Sequence, residues 1–474
     1  MPQPDAGPTS AQRWARGEND PDAMTPDPDF LERLRAELRS GRRWLDRAIV
    51  LGYAIVAGLA IVGISIASDW AFSGFHWLFS RWPWAVLAVT PLLTGGIVWA
   101  TLRFFPGAGG SGIQHVKAAI DPALAPGKQS AFVSMRLTLA KIGLTVAGFL
   151  GGLSIGREGP SVQVAAGVMQ HARRWLSPGS SIDARALLIA GGAAGIAGAF
   201  NAPLAGVVFA IEELSGRLEA RSSGLIMAAI VLAGLVAVSV FGNQSYFGVI
   251  RVPRLGWDAL GPGLAIAVLG GAAGGLFSRL LIASLTGAPG RLNRWRARFP
   301  VRFAMACGLA IAVIGLASGG ATFGSGSEAV KEMLQGGERM TPISTLLKFV
   351  ATWLTAWSGA PGGIFAPSLA IGAGIGDAVA HFAATDLGPA LIAIGMAAFL
   401  AGVTQAPLTA FIIVMEMIDG HAMVLSLMTA AMLASLISHM ITRPLYEAMA
   451  QYLVAMANGA KPADPNPPQD PTSR

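Results

Sequence analysis

The chain has 474 residues, is 53% hydrophobic and only 13% charged, and carries a net charge of +7, with a mean hydropathy of +0.55. A soluble globular chain is about 25% charged, so this one lacks the polar surface to coat itself in water and reads as a polytopic membrane protein. Its basic residues cluster beside apolar runs, at 33–47 and 291–302, which is the pattern of cytoplasmic flanks of membrane spans and not of a nucleic-acid-binding face.

Taken along the chain, residues 1–45 form a polar, Pro-rich segment with nothing like a cleavable signal peptide, and they are expected to lie in the cytoplasm. Apolar runs follow, among them 48–67, 85–99, 186–210, 225–241 and 422–441. A perpendicular helical span needs roughly 20 residues. Several runs are longer or shorter, which predicts tilted, re-entrant or broken helices in a membrane domain over 46–455. The tail, 456–474, is Pro-rich and expected to be disordered, and too short for a C-terminal regulatory domain. The single cysteine, Cys307, excludes an intrachain disulfide and a Cys-based metal site. The histidines show no paired ligand spacing, so no metal is expected. Residues 107–112 match GxGxxG, but a dinucleotide site needs that pattern after a strand, and here it follows an apolar span.

The chain is internally duplicated. GREGPSVQVAAG (156–167) answers GIFAPSLAIGAG (363–374) at an offset of 207. In the stretches 191–214 and 394–417, Asn201-Ala-Pro-Leu answers Gln405-Ala-Pro-Leu, and Glu212 answers Glu416, at an offset of 204. The halves cover roughly 85–220 and 300–450. Membrane duplications commonly have inverted topology, with the binding site near the midplane where Gly/Pro-interrupted helices meet.

Three segments join a glycine-rich approach to a helix-competent run: GGSGIQHVKAAI (109–120), GREGPSVQVAAGV (156–168) and GIFAPSLAIGAGI (363–375). A helix that begins inside the membrane presents unpaired N–H groups and a partial positive charge, which bind an anion without a full cation. Pro160 and Pro367 suit a first helical turn. Three such ends converging would bind an anion weakly enough for passage. Glu158 lies at one of them. A carboxylate at membrane depth costs roughly 2.5–3.5 kcal/mol, yet at an anion-binding helix end it can take an anion's place when ionised and vacate it when protonated. The alternative is a structural Arg157–Glu158 ion pair. Glu212 recurs in both halves, which suits a scaffold. Glu213, answered by Met417, is the better candidate for a proton role, with a solvated helix end beside Arg217, Glu219 and Arg221 as the alternative.

These motifs resemble those of the CLC family of chloride channels and chloride/proton exchangers, over about 45–455. Gly110-Ser111-Gly112-Ile113 resembles the family's GSGIP block, Gly156-Arg157-Glu158-Gly159-Pro160 its GREGP block and Gly363-Ile364-Phe365-Ala366-Pro367 its GIFAP block. FNAPLAGVVFAIEE (200–213), SGAPGG (358–363) and RPLYEAM (443–449) are further landmarks. The resemblance implies an all-α inverted repeat of tilted and broken helices, a homodimer in the lipid bilayer, and one anion path per subunit. It further implies anion binding by Ser111, Ile364, Phe365 and Tyr446, a gate and outer proton transfer at Glu158, and inner proton transfer at Glu213. The one departure is Gln114, where the family motif has proline; it restores a backbone N–H and adds an amide. A multi-pass protein of the inner (plasma) membrane with both termini cytoplasmic is expected. It would exchange chloride, or a similar small anion, for protons without a cofactor and is not expected to be an enzyme. A passive anion channel gated by the same glutamate is the alternative reading, and a transporter of organic solutes a more distant one.

Overall fold

The computed structural model describes residues 41–180, 182–215, 223–242, 245–248, 256–287, 289–383 and 387–460. The polar N-terminus up to residue 40, the tail from 461, and Arg217, Glu219 and Arg221 lie outside the described residues. Regular structure among the described residues is helical. Lipid offers no hydrogen bonds, and a helix satisfies its backbone within its own segment.

The first helix, α1 (Gly41–Arg81), runs 41 residues, roughly 60 Å at 1.5 Å per residue, about twice the bilayer core. It leads into α2 (Val86–Phe104), then α3 (Ile113–Ile120), α4 (Met135–Leu150) and α5 (Glu158–Ala172). The apolar run at 186–210 is not one helix. It is split into α6 (Ala184–Ala199) and α7 (Pro203–Phe209), and closes in a π-turn at Ala210–Ser215. The break has two local causes. Pro203 disfavours helical backbone in the residue before it, and Asn201 takes a left-handed φ of 54°, which Asn tolerates better than most residues. The helix α8 (Ser223–Phe241) ends the first half.

The second half contains α9 (Leu260–Leu285), the Arg-rich α10 (Arg291–Arg298), α11 (Pro300–Ala317), α12 (Ser327–Leu334) and α13 (Pro342–Ser358). It continues through α14 (Phe365–Phe382), α15 (Gly388–Thr404), α16 (Pro407–Met417) and α17 (Val424–His439), and ends with α18 (Leu445–Ala457). Gln405, the repeat partner of Asn201, breaks α15 from α16 with the same left-handed turn, φ 58°. Seven helices among the described residues are long and apolar enough to cross a membrane, which makes this a multi-pass membrane protein.

The duplication reaches further in space than in sequence. Gly110-Ser111-Gly112, with φ of 65° and 112° at its glycines, has a counterpart in Gly324-Ser325-Gly326, with 63° and 84°. Beneath each turn lies a fully buried lysine. Lys141 on α4 donates to the carbonyls of Ala108 (2.9 Å) and Gly110 (2.6 Å). Lys348 on α13, 207 positions on, donates to those of Thr322 (3.1 Å), Phe323 (3.4 Å) and Gly324 (2.7 Å). Gly156 and Gly363 exchange backbone hydrogen bonds as an antiparallel bridge, the reciprocal contact that a two-fold axis between inverted halves requires.

Helices within each half approach closely at small residues, the usual solution where lipid removes the hydrophobic drive between helices. At the α5–α6 crossing a Cβ on Gly195 would lie 2.5 Å from Val162 Cα, and at the α14–α15 crossing one on Gly376 would lie 2.7 Å from Ile392 Cα. Backbone cannot yield as a side-chain tip can. Gly195→Val is expected to lower stability by at least about 1–3 kcal/mol through overpacking, read as a fall in the melting temperature of the purified protein in detergent. An unchanged melting temperature would contradict so close a crossing.

Candidate ion-binding site

Three loops meet at the centre of the molecule. The Gly156 N–H donates to Gly363 O (2.8 Å) and the Gly363 N–H to Gly156 O (2.7 Å), while the Gly362 N–H donates to Gly110 O (3.1 Å). These bonds tie together the approaches to α3, α5 and α14, so all three glycine-rich helix starts open onto one place. The packing leaves no room for larger residues: a Cβ on Gly159 would overlap the Ser111 side chain, and one on Gly363 would stand 3.0 Å from the Gly159 amide. Ser111, Ile113, Gln114, Glu158, Ile364, Phe365 and Tyr446 are all buried, Ser111 being the most exposed at 8%.

The fourth contribution comes from the first turn of α18. The Tyr446 ring packs on Phe365 (6.1 Å between centroids), which stacks with Phe200 (6.3 Å) and meets Phe209 edge-on (6.5 Å). This cluster fixes the phenol against the start of α14. The Tyr446 and Ser111 hydroxyls are both buried, and neither has a hydrogen-bond partner. A buried polar group left unmet costs about 1–3 kcal/mol. Two such donors, beside helix starts, suit a small anion that accepts from both.

Glu158 is 1% exposed. Its Oε2 accepts from the Ala366 N–H (3.4 Å) at the start of α14, and the amides of Arg157 and of Glu158 itself also act on the carboxylate. The side chain folds back so tightly that a Cβ on Gly156 would fall on Oε2. The carboxylate thus lies across the helix starts, as an anion would. Arg157 is occupied elsewhere: its guanidinium donates to Asp69 Oδ1 (2.7 Å) and Ser65 O (3.2 Å) on α1. That ties α5 to α1, and the alternative of an Arg157–Glu158 ion pair gives way to an Arg157–Asp69 pair.

Gln114 bends back on its own loop, its Oε1 accepting from the Gly112 N–H (3.2 Å). One amide at the start of α3 is therefore capped by a side chain. Glu212 and Glu416 perform a reciprocal task. Glu212 accepts from the Leu408 and Thr409 amides (3.0 and 2.6 Å) at the start of α16, and Glu416 from those of Leu204 and Ala205 (3.1 and 2.7 Å) at the start of α7. Each half caps a helix of the other. Glu213 points elsewhere, 7% exposed, with Oε1 2.7 Å from Lys117 Nζ on α3. Sequence reasoning missed Lys117 and Lys141 as parts of the site. The available signal for Lys141 was a lone lysine inside an apolar run, matched at Lys348 by the repeat offset; for Lys117 it was a charge one helical turn beyond an anion-site motif.

A family model described as voltage gated chloride channel matches residues 92–439. The H(+)/Cl(-) exchange transporter ClcA of Cronobacter sakazakii is 32% identical over 427 residues, 83% of this chain and 86% of that protein. The putative chloride channel protein ClcB-like of Ralstonia nicotianae is 30% identical over 375 residues, 75% of this chain and 83% of that one. Among solved structures, a slow cyanobacterial Cl-/H+ antiporter superposes with a TM-score of 0.73 at 24% identity, covering 87% of this chain and 99% of its own, a likeness of fold.

Proposed function

The chain belongs to the voltage-gated chloride channel family, and from that premise we propose that it is a chloride/proton antiporter in which Glu158 competes with the anion and carries the proton. The observation that carries the reading is the Glu158 carboxylate bound to the amide at the start of α14, beside two buried hydroxyls with no other partner. Ser111 Oγ, Tyr446 OH and the Ile364 and Phe365 amides form the anion's cradle. An ionised Glu158 closes the outward path by taking the helix-end amides itself. Protonation removes its charge and its claim on those amides, so the side chain leaves and an anion takes the place. The carboxyl then releases its proton to the opposite side as it returns. Glu213, which like Glu158 acts electrostatically on the Tyr446 phenol, relays protons with the inner solution. The exchange function of the ClcA relative supports this reading.

The protein is proposed to work as a homodimer in the bacterial inner membrane, with one path per subunit and no cofactor beyond the transported ions. The Arg-rich α10 supports a cytoplasmic position for its loop, and the basic residues at 33–47 support the same for the N-terminus.

The test uses purified protein in liposomes with an imposed chloride gradient, the voltage clamped by a potassium ionophore and external pH recorded. Uphill proton movement driven by chloride is the expected result, and Glu213→Gln should remove it while chloride still moves. Chloride flux with no coupled protons in the wild type would instead make the protein a channel, and unaltered proton pumping in Glu213→Gln would return that residue to a structural role.

A further inference from the structure

As the fold holds it, the inner glutamate is engaged by a cation. Lys117 Nζ lies 2.7 Å from Glu213 Oε1, and the pair joins residues 96 positions apart. Lys117 belongs to α3, the helix whose first turn follows the Ser111 loop, so the pair links the inner carboxylate to the anion-site helix. Among the described residues, the charged groups acting on Glu213 are Lys117 from α3, Glu212 from its own turn and Glu447 from α18; the Tyr446 phenol of α18 also feels it. Lys117 is the one cation among them. Glu212 is committed to the α16 amides and, like Glu447, repels a negative charge at Glu213.

The two partners differ in access. The lysine side chain is 22% exposed and the glutamate 7%. Lysine is a point charge on a flexible four-carbon stem, so the ammonium is the partner that can leave for water. While it stays, it favours the ionised carboxylate, and a largely buried carboxylate resists losing its counter-ion.

We infer that Lys117 is a positioning residue that holds Glu213 ionised at the inner end of α3 and must release it each time Glu213 takes a proton. The inference rests on the reading of Glu213 as the inner proton site. In the step, a proton from cytoplasmic hydronium adds to Glu213 Oε1, leaving water. The neutral acid no longer attracts the ammonium, which keeps its own protons and swings into solvent. When Glu213 passes the proton toward Tyr446 and Glu158, its charge returns and so does the lysine. Lys117 thereby sets the internal pH range over which proton exchange runs, and ties that range to the helix that binds the anion.

The deciding measurement is an infrared pH titration of the full-length protein in lipid, in which the Glu213 carboxyl band is identified as the one lost in Glu213→Gln. Lys117→Met is expected to move its midpoint upward by about 1–3 pH units, because the neutral acid gains once the cation is gone; Lys117→Arg should leave it nearly unmoved. Lys117→Gln serves as a second neutral variant if the methionine protein does not assemble. Proton transport in liposomes should shift along internal pH by the same amount. A midpoint unmoved in both neutral variants would overturn the inference. So would a midpoint shifted as far in Lys117→Arg as in Lys117→Met, since the loss would then not be one of charge. A wild-type protein that moves no protons would overturn the exchange reading instead, while the infrared midpoint still decides the hold of Lys117 on Glu213.

Discussion

Replacing Glu158 with glutamine is expected to abolish proton exchange completely while chloride continues to flow down its gradient. The glutamine amide has the size of the acid and the neutrality of its protonated form, so it imitates the open state of the gate. It has no carboxyl proton to release, and its neutral carbonyl competes with chloride for the Ala366 amide far more weakly than a carboxylate does. The pH dependence should vanish with the coupling. In the wild type, falling pH protonates Glu158 and frees the helix ends, so chloride flux rises as pH falls; in Glu158→Gln the flux should be flat. Glu158→Ala should behave likewise, because the proposed cradle of Ser111, Tyr446 and the α14 amides does not depend on the side chain. Flux and proton movement recorded together on the same vesicles check both statements. Strict coupling surviving in either variant would remove Glu158 from the mechanism.

The largest expected effect on stability is at Lys348. Its side chain is fully buried, and its ammonium serves three carbonyls of the turn at Thr322, Phe323 and Gly324. Truncation to alanine removes a long buried stem, comparable to core Leu→Ala changes that cost about 2–5 kcal/mol. It also withdraws the donor from buried carbonyls, at about 1–3 kcal/mol for a group left unmet. Relief from burying an ammonium offsets part of this. A net loss of about 3–5 kcal/mol is expected for Lys348→Ala, measured by thermal or denaturant unfolding in detergent. Lys348→Met restores the packing and not the donor, so the difference between the two variants isolates the stem. A Lys348→Ala protein as stable as the wild type would mean that the cost of burying the ammonium cancels everything the side chain contributes.

Much of the architecture was legible before any coordinates. The apolar runs placed the chain in a membrane, and the Gly/Pro breaks marked the helix starts that meet at the site. The repeat also separated two adjacent carboxylates: Glu212, echoed by Glu416, caps the opposite half, whereas Glu213 pairs with Lys117. Where reading along the chain went astray, the cause was a long-range partner. Arg157 stands next to Glu158 in sequence but pairs with Asp69, 88 positions away. Adjacent side chains at a helix start diverge, and the nearer acceptor in space wins.

What the amino-acid order determines here is whatever depends on short-range chemistry: which stretches suit lipid, where proline and glycine end or begin a helix, and which segments repeat. The fold itself decides how those pieces are used. It brings the Gly156 and Gly363 turns into one reciprocal pair, folds Glu158 back onto the α14 amide, turns Gln114 onto its own loop, and sets Lys117 against Glu213. Charges and hydroxyls find partners through space, with a strength that falls with distance and rises with burial. A chain read in one dimension shows which groups need partners, and packing in three dimensions assigns them.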